Sequence, residues 1–247
     1  MDIRSYIDST YLKTLSQSGL NEEQNQEVVT TLVEEAIRES FKLVMIRPEM
    51  VSLAKQMIVN AASNVKVGTV IDFPEGNATI EAKLKEAAQA IADGADELDF
   101  VCNYEAFKNG AVDLFKDEIL KGTQLALANH KIIKWIIEVV ALTDKQIIQL
   151  SALIKNVVIS NCKEADYSAV FVKSSTGFYK TPNNEPNGAT KESIIMMLEN
   201  ASPLPVKAAG SVRTYEEAEA MIKLGVKRIG TSSALAIVSG GKVQKGY

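Results

Sequence analysis

The sequence is poor in the side chains that serve metal and hydrolytic chemistry. It has one histidine, His130, in 247 residues. That excludes a His-rich metal centre and a hydrolytic triad leaning on a second histidine. Its two cysteines, Cys102 and Cys162, lack a CxxC spacing and stand in apolar surroundings, which suits unpaired thiols in a reducing cytoplasm. No apolar run approaches the roughly 18 residues of a membrane span, and the opening Met-Asp-Ile-Arg-Ser has no signal-peptide core. Basic blocks are absent and the formal charge is −4, so a nucleic-acid partner is not expected. A local positive pocket for a small anion is not excluded by that balance. Neither GxGxxG nor GxxxxGK[ST] occurs, which removes the main support for dinucleotide and P-loop readings.

What the chain does have is a regular alternation. Short apolar runs at Tyr6–Tyr11, Lys42–Ile46, Lys66–Asp72, Glu97–Cys102, Ile132–Val139, Ala169–Lys173, Pro205–Ala208 and Arg228–Gly230 read as strands, each followed by a helical pattern. Asn21–Ser40 repeats Val28, Val29, Leu32, Val33 and Ile37 at helical spacing, and Thr79–Asp93 does the same with Ile80, Leu84 and Ile91. Thr143, Thr190 and Thr214 stand as helix caps, and Gly94 and Gly225 fall where helices end. Eight β/α units without a linker predict an α/β fold, a (β/α)8 TIM barrel in a single domain over 1–247, with a short flexible tail from about residue 239. An open doubly wound sheet is the rival, but it favours a glycine-rich first turn, whereas here the glycines gather after strands 6, 7 and 8. Tyr179–Gly188, with two prolines and three asparagines, is expected to be a mobile rim loop.

Polar residues inside apolar strands mark the chemistry. Lys173 interrupts Ala-Val-Phe-Val-Lys-Ser-Ser-Thr-Gly177, where burial favours the neutral amine that imine formation needs. Lys207, in Pro-Val-Lys-Ala-Ala-Gly210-Ser211, follows one βα unit later. Asp99 ends strand 4, and Lys134 and Glu138 share one face of strand 5 by the two-residue period. A lysine held cationic beside Lys173 opposes its protonation, and Asp99 is suited to hold a water or a lysine and to move protons. Gly177, Gly210, Ser211 and Gly230-Thr-Ser232-Ser233 offer backbone N–H groups and hydroxyls for a phosphate monoester. Taken alone, Lys134 with Glu138 reads as a structural ion pair, Asp99 equally as an anchor or a catalyst, and Lys207 equally as a phosphate ligand. His130 and the Met196-Met197 pair read as solvent contact and core packing.

Ile7-Asp-Ser-Thr10, Asp72-Phe-Pro-Glu-Gly-Asn77, Gly94-Ala-Asp-Glu-Leu-Asp99, Lys134–Glu138, Val172-Lys-Ser-Ser-Thr-Gly177, Val206-Lys-Ala-Ala-Gly210 and Arg228-Ile-Gly-Thr-Ser-Ser233 occur in the order and spacing of a known family. The chain resembles the deoxyribose-phosphate aldolases, class I aldolases on a (β/α)8 barrel, nearly end to end. The resemblance implies Lys173 as the Schiff-base lysine, Lys207 as the lysine that perturbs it, Asp99 as the acid of a proton relay and Lys134 as an additional lysine nearby. It implies a phosphate cradle of Gly177, Gly210, Ser211, Ser232 and Ser233. The reaction implied is reversible cleavage of 2-deoxy-D-ribose 5-phosphate to D-glyceraldehyde 3-phosphate and acetaldehyde, with no metal and no organic cofactor. Phosphorylated sugars and aldehydes are then the partners, a homodimer the common assembly and the cytoplasm the location. A related lysine aldolase for another sugar phosphate and a non-catalytic sugar-phosphate-binding barrel are the alternatives. Met45 replaces a frequent cysteine, Ser9 a frequent histidine and Ser211 a usual glycine. The Tyr179–Gly188 loop is longer than common, and Tyr247 matches a C-terminal tyrosine that assists proton transfer in some relatives.

Overall fold

Eight short parallel strands pair in sequence order, and the last closes onto the first. The computed structural model describes residues 2–182 and 187–240. The strands are β1 Ile7–Thr10, β2 Leu43–Ile46, β3 Lys66–Ile71, β4 Glu97–Val101, β5 Ile132–Ile136, β6 Val170–Lys173, β7 Val206–Ala209 and β8 Arg228–Thr231. Around them run α1 Leu15–Ser18, α2 Glu22–Glu39, α3 Val51–Asn60, α4 Ile80–Ala92, α5 Tyr104–Lys108, α6 Val112–Ala128, α7 Asp144–Asn161, α8 Lys191–Ala201, α9 Tyr215–Leu224 and α10 Ala234–Val238. This is the (β/α)8 barrel that the alternation predicts.

The helices start where hydroxyls and amides can satisfy their first N–H groups. Asn21, Thr143, Thr190 and Thr214 each form a reciprocal capping box with the residue three places on, and Thr79 caps α4. Between barrel and helices lies the main core, built from the outward faces of the strands and the inner stripes of the helices. Each fully buried Val, Leu, Ile or Phe there contributes about 1.5–3 kcal/mol. Trp135 on β5 packs against Phe100 with ring centroids 5.0 Å apart, and its indole N–H donates to Thr123 Oγ1 at 3.1 Å. A Cβ on Gly122 of α6 would lie 2.6 Å from that indole, so the helix approaches β5 only because this residue is glycine.

The barrel interior is divided. One side is apolar, with Leu12, Leu43, Met45 and Val70 beneath the rings of Phe73 and Phe178. Met45 is fully buried, and its methyl occupies the space that Gly68 leaves open. The other side holds Asp8, Glu97, Asp99, Lys134, Lys173, Lys207 and Arg228, all buried. Barrels of this kind are usually filled by layers of branched apolar side chains. Here seven charged side chains take part of that filling, at a desolvation cost of several kcal/mol per ion before pairing. Outside the barrel, His130 is exposed and Met197 is buried, as their sequence settings suggest.

Candidate active site

Strand register brings the charged residues together. Asp99 on β4 lies beside Lys134 on β5, Lys173 on β6 beside Lys207 on β7, and Lys207 beside Arg228 on β8. Asp99 is the hub. Its Oδ1 accepts from Lys134 Nζ at 2.7 Å, and its Oδ2 accepts from both Lys173 Nζ at 2.8 Å and Lys207 Nζ at 2.9 Å. Lys207 also lies 2.6 Å from Asp8 Oδ2, an ion contact whose angles are poor for a hydrogen bond. Below this layer Arg228 donates to Asp8 Oδ1 at 2.8 Å and to both oxygens of Glu97, while Glu97 Oε2 lies 2.6 Å from Lys134 Nζ. Gly230 makes room for Lys207, since a Cβ there would stand 3.0 Å from Lys207 Cε.

The four candidate catalytic residues, Asp99, Lys134, Lys173 and Lys207, thus meet at one point. Sequence reading passes over Asp8, Glu97 and Arg228 as site residues. The signal was available, because Asp8 interrupts β1, Glu97 and Arg228 open the apolar strands β4 and β8, and Glu97 stands two residues before Asp99 on the same face. The pairing of Lys134 with Glu138 is corrected by the structure. β5 ends at Ile136, Glu138 takes a left-handed conformation at φ 55°, and its carboxylate accepts from Thr176 N at 3.1 Å and from Thr176 Oγ1. Lys134 is held by Asp99 and Glu97 instead. The two-residue period fails there because the strand no longer alternates.

Charge and burial set the protonation states. Burial lowers the Lys173 pKa, Asp99 opposes that, and Lys207 and Lys134 add to it, leaving the amine at about 8. Burial works against the charge of Lys134 too, but Asp99, Glu97 and Asp8 outweigh it and its pKa is raised. Burial opposes ionisation of Asp99, yet the lysines Lys134, Lys173 and Lys207 hold its carboxyl well below the usual range. Asp8 is lowered in the same way, against burial, by Arg228 and Lys207. Among the described residues no group of three or more His, Cys, Asp or Glu side chains is placed to hold a metal ion. The three interior carboxylates are taken up by lysine and arginine.

The rim above β6, β7 and β8 carries the candidate phosphate residues. Gly177, at φ 79°, faces Gly210, where its Cβ would lie 3.9 Å from the Gly210 Cα. Gly188 touches Gly210 so closely that a Cβ would stand 2.3–2.6 Å from its backbone, and Ala189 N donates to Ala209 O at 3.1 Å. Thr231 Oγ1 donates to Val212 O at 2.7 Å, tying the β8 end to the β7 loop. Ser211 sits at φ 61°, a left-handed backbone that glycine adopts with less strain. Ser232 is exposed and Ser233 half-buried, and Ser233 N donates to Thr231 Oγ1 at 2.9 Å, so that N–H is used within the loop. α10 has only five residues, which leaves little helix dipole for an anion. Within the expected Tyr179–Gly188 loop, 183–186 lie outside the described residues, as does Tyr247.

A family profile described as "DeoC/LacD family aldolase" matches residues 10–240. The chain belongs to this aldolase family. It is 40% identical over 243 residues to a deoxyribose-phosphate aldolase of Thermococcus gammatolerans, covering 98% of this chain and 97% of that one. A deoxyribose-phosphate aldolase of Caldicellulosiruptor saccharolyticus is 37% identical over 240 residues, covering 96% and 97%. Among solved structures, the deoxyribose phosphate aldolase from Aeropyrum pernix, described as a unique tetramer, superposes with a TM-score of 0.77 at 27% identity, over 96% of this chain and 90% of that one. Family membership makes the chain an enzyme of the lyase class, built on the barrel described above.

Proposed function

We propose that this aldolase-family chain reversibly cleaves 2-deoxy-D-ribose 5-phosphate to D-glyceraldehyde 3-phosphate and acetaldehyde through an imine on Lys173. The observation that carries the reading is a buried lysine sharing one carboxylate oxygen of Asp99 with a second lysine, its pKa brought to about 8. About a tenth of such an amine is neutral at pH 7, and a nucleophile needs that fraction. Binding a sugar phosphate requires no such amine.

In the forward direction the Lys173 amine adds to the C1 aldehyde, and loss of water gives the protonated imine. The C3 hydroxyl gives up its proton, the C2–C3 bond breaks, and its electron pair moves into the imine to form an enamine. Glyceraldehyde 3-phosphate leaves. Protonation at C2 and hydrolysis then release acetaldehyde and restore the amine. Asp99 remains a carboxylate at rest, so it serves as acceptor and guide, with the Lys134 ammonium on one oxygen and Lys207 on the other. The phosphate is placed against Gly177, Gly210, Ser211, Ser232 and Ser233. We take the chain to be a single barrel domain acting as a cytoplasmic homodimer on phosphorylated sugars and aldehydes.

The test is reduction with borohydride in the presence of acetaldehyde, and separately of deoxyribose 5-phosphate, followed by peptide mapping. An irreversible mass increase on Lys173 is expected from both. An adduct on Lys207 would reverse the assignment of the two lysines, and no adduct would leave a binding barrel.

A further inference from the structure

Past the end of β5 the ladder to β6 continues out of step. Ile137 N donates to Lys173 O at 3.0 Å and Val139 N donates to Ser174 O at 2.9 Å. Residues two apart on one side therefore serve carbonyls one apart on the other, and the extra residue is Glu138. Such a bulge re-aims a side chain, and here it does so through a left-handed backbone that a glutamate disfavours. The carboxylate is buried, and among the described residues no cation comes within ion-pair distance of it. Burial raises its pKa, partly offset by its bonds to Thr176 and by the charge of Lys173. A buried carboxylate without a directly paired cation is costly.

What it holds is the loop that follows Lys173. Its Oε2 accepts from both the amide and the hydroxyl of Thr176, and Thr176 Oγ1 in turn accepts from Phe178 N at 3.0 Å. Asn187 Nδ2 donates to Gly177 O at 2.7 Å from the other side. Between those anchors Gly177 faces Gly210. The Phe178 ring meets Phe73 edge-on at 5.1 Å over the apolar half of the barrel. We infer that Glu138 is a positioning residue for the reaction. Its carboxylate fixes Thr176, and through Thr176 it sets both Gly177 in the phosphate cradle and Phe178 in the wall above the reacting carbons. The phosphate half of this inference rests on the cradle proposed above.

Two variants test it: Glu138→Ala, which removes the acceptor, and Glu138→Gln, which keeps an acceptor oxygen. In Glu138→Ala the Thr176 and Phe178 amides should exchange with solvent at least about tenfold faster, because both lose an ordered partner. KM for deoxyribose 5-phosphate should rise about ten- to hundredfold, while KM for unphosphorylated deoxyribose rises about threefold or less. Glu138→Gln should recover most of both. Thr176→Val, which deletes the hydroxyl and keeps the volume, should reproduce the KM split, and it decides the matter alone if Glu138→Ala does not fold. Unchanged amide exchange would overturn the latch. Faster exchange with equal KM effects on both substrates would overturn the link to phosphate, placing the cradle elsewhere and leaving Glu138 a fold residue.

Discussion

With Lys173 charged, four cations (Lys134, Lys173, Lys207 and Arg228) face three carboxylates (Asp8, Glu97 and Asp99) in the barrel interior; with Lys173 neutral the signs balance. Of the four, Lys173 is the one with its pKa held near 8, and it stands at the end of its strand, nearest the rim. Lys134 is pinned between Asp99 and Glu97, and Lys207 between Asp8 and Asp99. This bookkeeping predicts opposite shifts for two substitutions. Lys207→Leu removes a cation, so the remaining cluster balances with Lys173 protonated. The acid limb of imine formation should move up by about one pH unit or more, with activity at pH 7 falling by orders of magnitude and recovering towards alkaline pH. Asp99→Asn removes the carboxylate that favours the Lys173 ammonium, so the limb should move down by a similar amount even as turnover collapses for want of a proton guide. It should also cost about 3–5 kcal/mol of stability, because three buried lysines lose their shared partner. Rates of imine formation across pH, measured by borohydride quenching, separate the two. No shift in either variant would show that Lys173 is tuned by burial alone.

At the scale of strands and loops, the catalytic lysines were legible because each breaks an apolar run, and strand alternation then places Asp99, Lys134 and Lys173 on the inner face. Glu138 was misread for the same reason. Alternation assumes that the strand continues, and the bulge between Ile137 and Val139 leaves no mark in composition. The rim was only partly legible. Gly177 and Gly210 announce a tight approach, but the residue that sets the spacing between the β6 and β7 loops is Gly188, which sequence reading treats only as the end of a mobile loop. Gly188→Ala would drive a Cβ into the Gly210 backbone, where no flexible side chain can yield. The two loops must part, and KM for deoxyribose 5-phosphate should rise more than tenfold with a much smaller change in kcat for unphosphorylated deoxyribose. Ser211→Gly relieves a left-handed backbone at φ 61° and should leave KM within about twofold. Steady-state kinetics on both sugars checks the pair. Equal KM values for wild type and Gly188→Ala would remove the β6 and β7 loops from phosphate binding.

At the scale of the molecule, the barrel could be read from alternating strands and capped helices, but the interior network could not. Asp8 and Arg228 are 220 residues apart and meet only because β8 closes onto β1. No local pattern says that an aspartate on the first strand will neutralise an arginine on the last. The same network governs how the fold responds to acid. Asp8 and Asp99 have pKa values lowered in the folded state, so each contributes stability that is fully present above about pH 3.9 and is lost as pH falls through the lowered value. Glu118 and Glu138 are raised, chiefly by burial, and Glu86 on α4 is raised in the same way. For these the sign reverses. The folded state binds protons more readily than the unfolded chain, so stability grows as pH falls through the raised values towards about 4.3. The two groups act in adjoining windows. Tm should therefore rise as pH falls from neutral towards the ordinary carboxylate range, and drop steeply below about 4. Trp135, the only tryptophan and fully buried, gives a clean fluorescence signal for the melt. Glu138→Gln should flatten part of that rise without moving the collapse at lower pH, since only the raised carboxyl is removed. A Tm that falls steadily from pH 7 downwards would mean that cations already placed near these glutamates, such as Lys83 on Glu118, outweigh their burial.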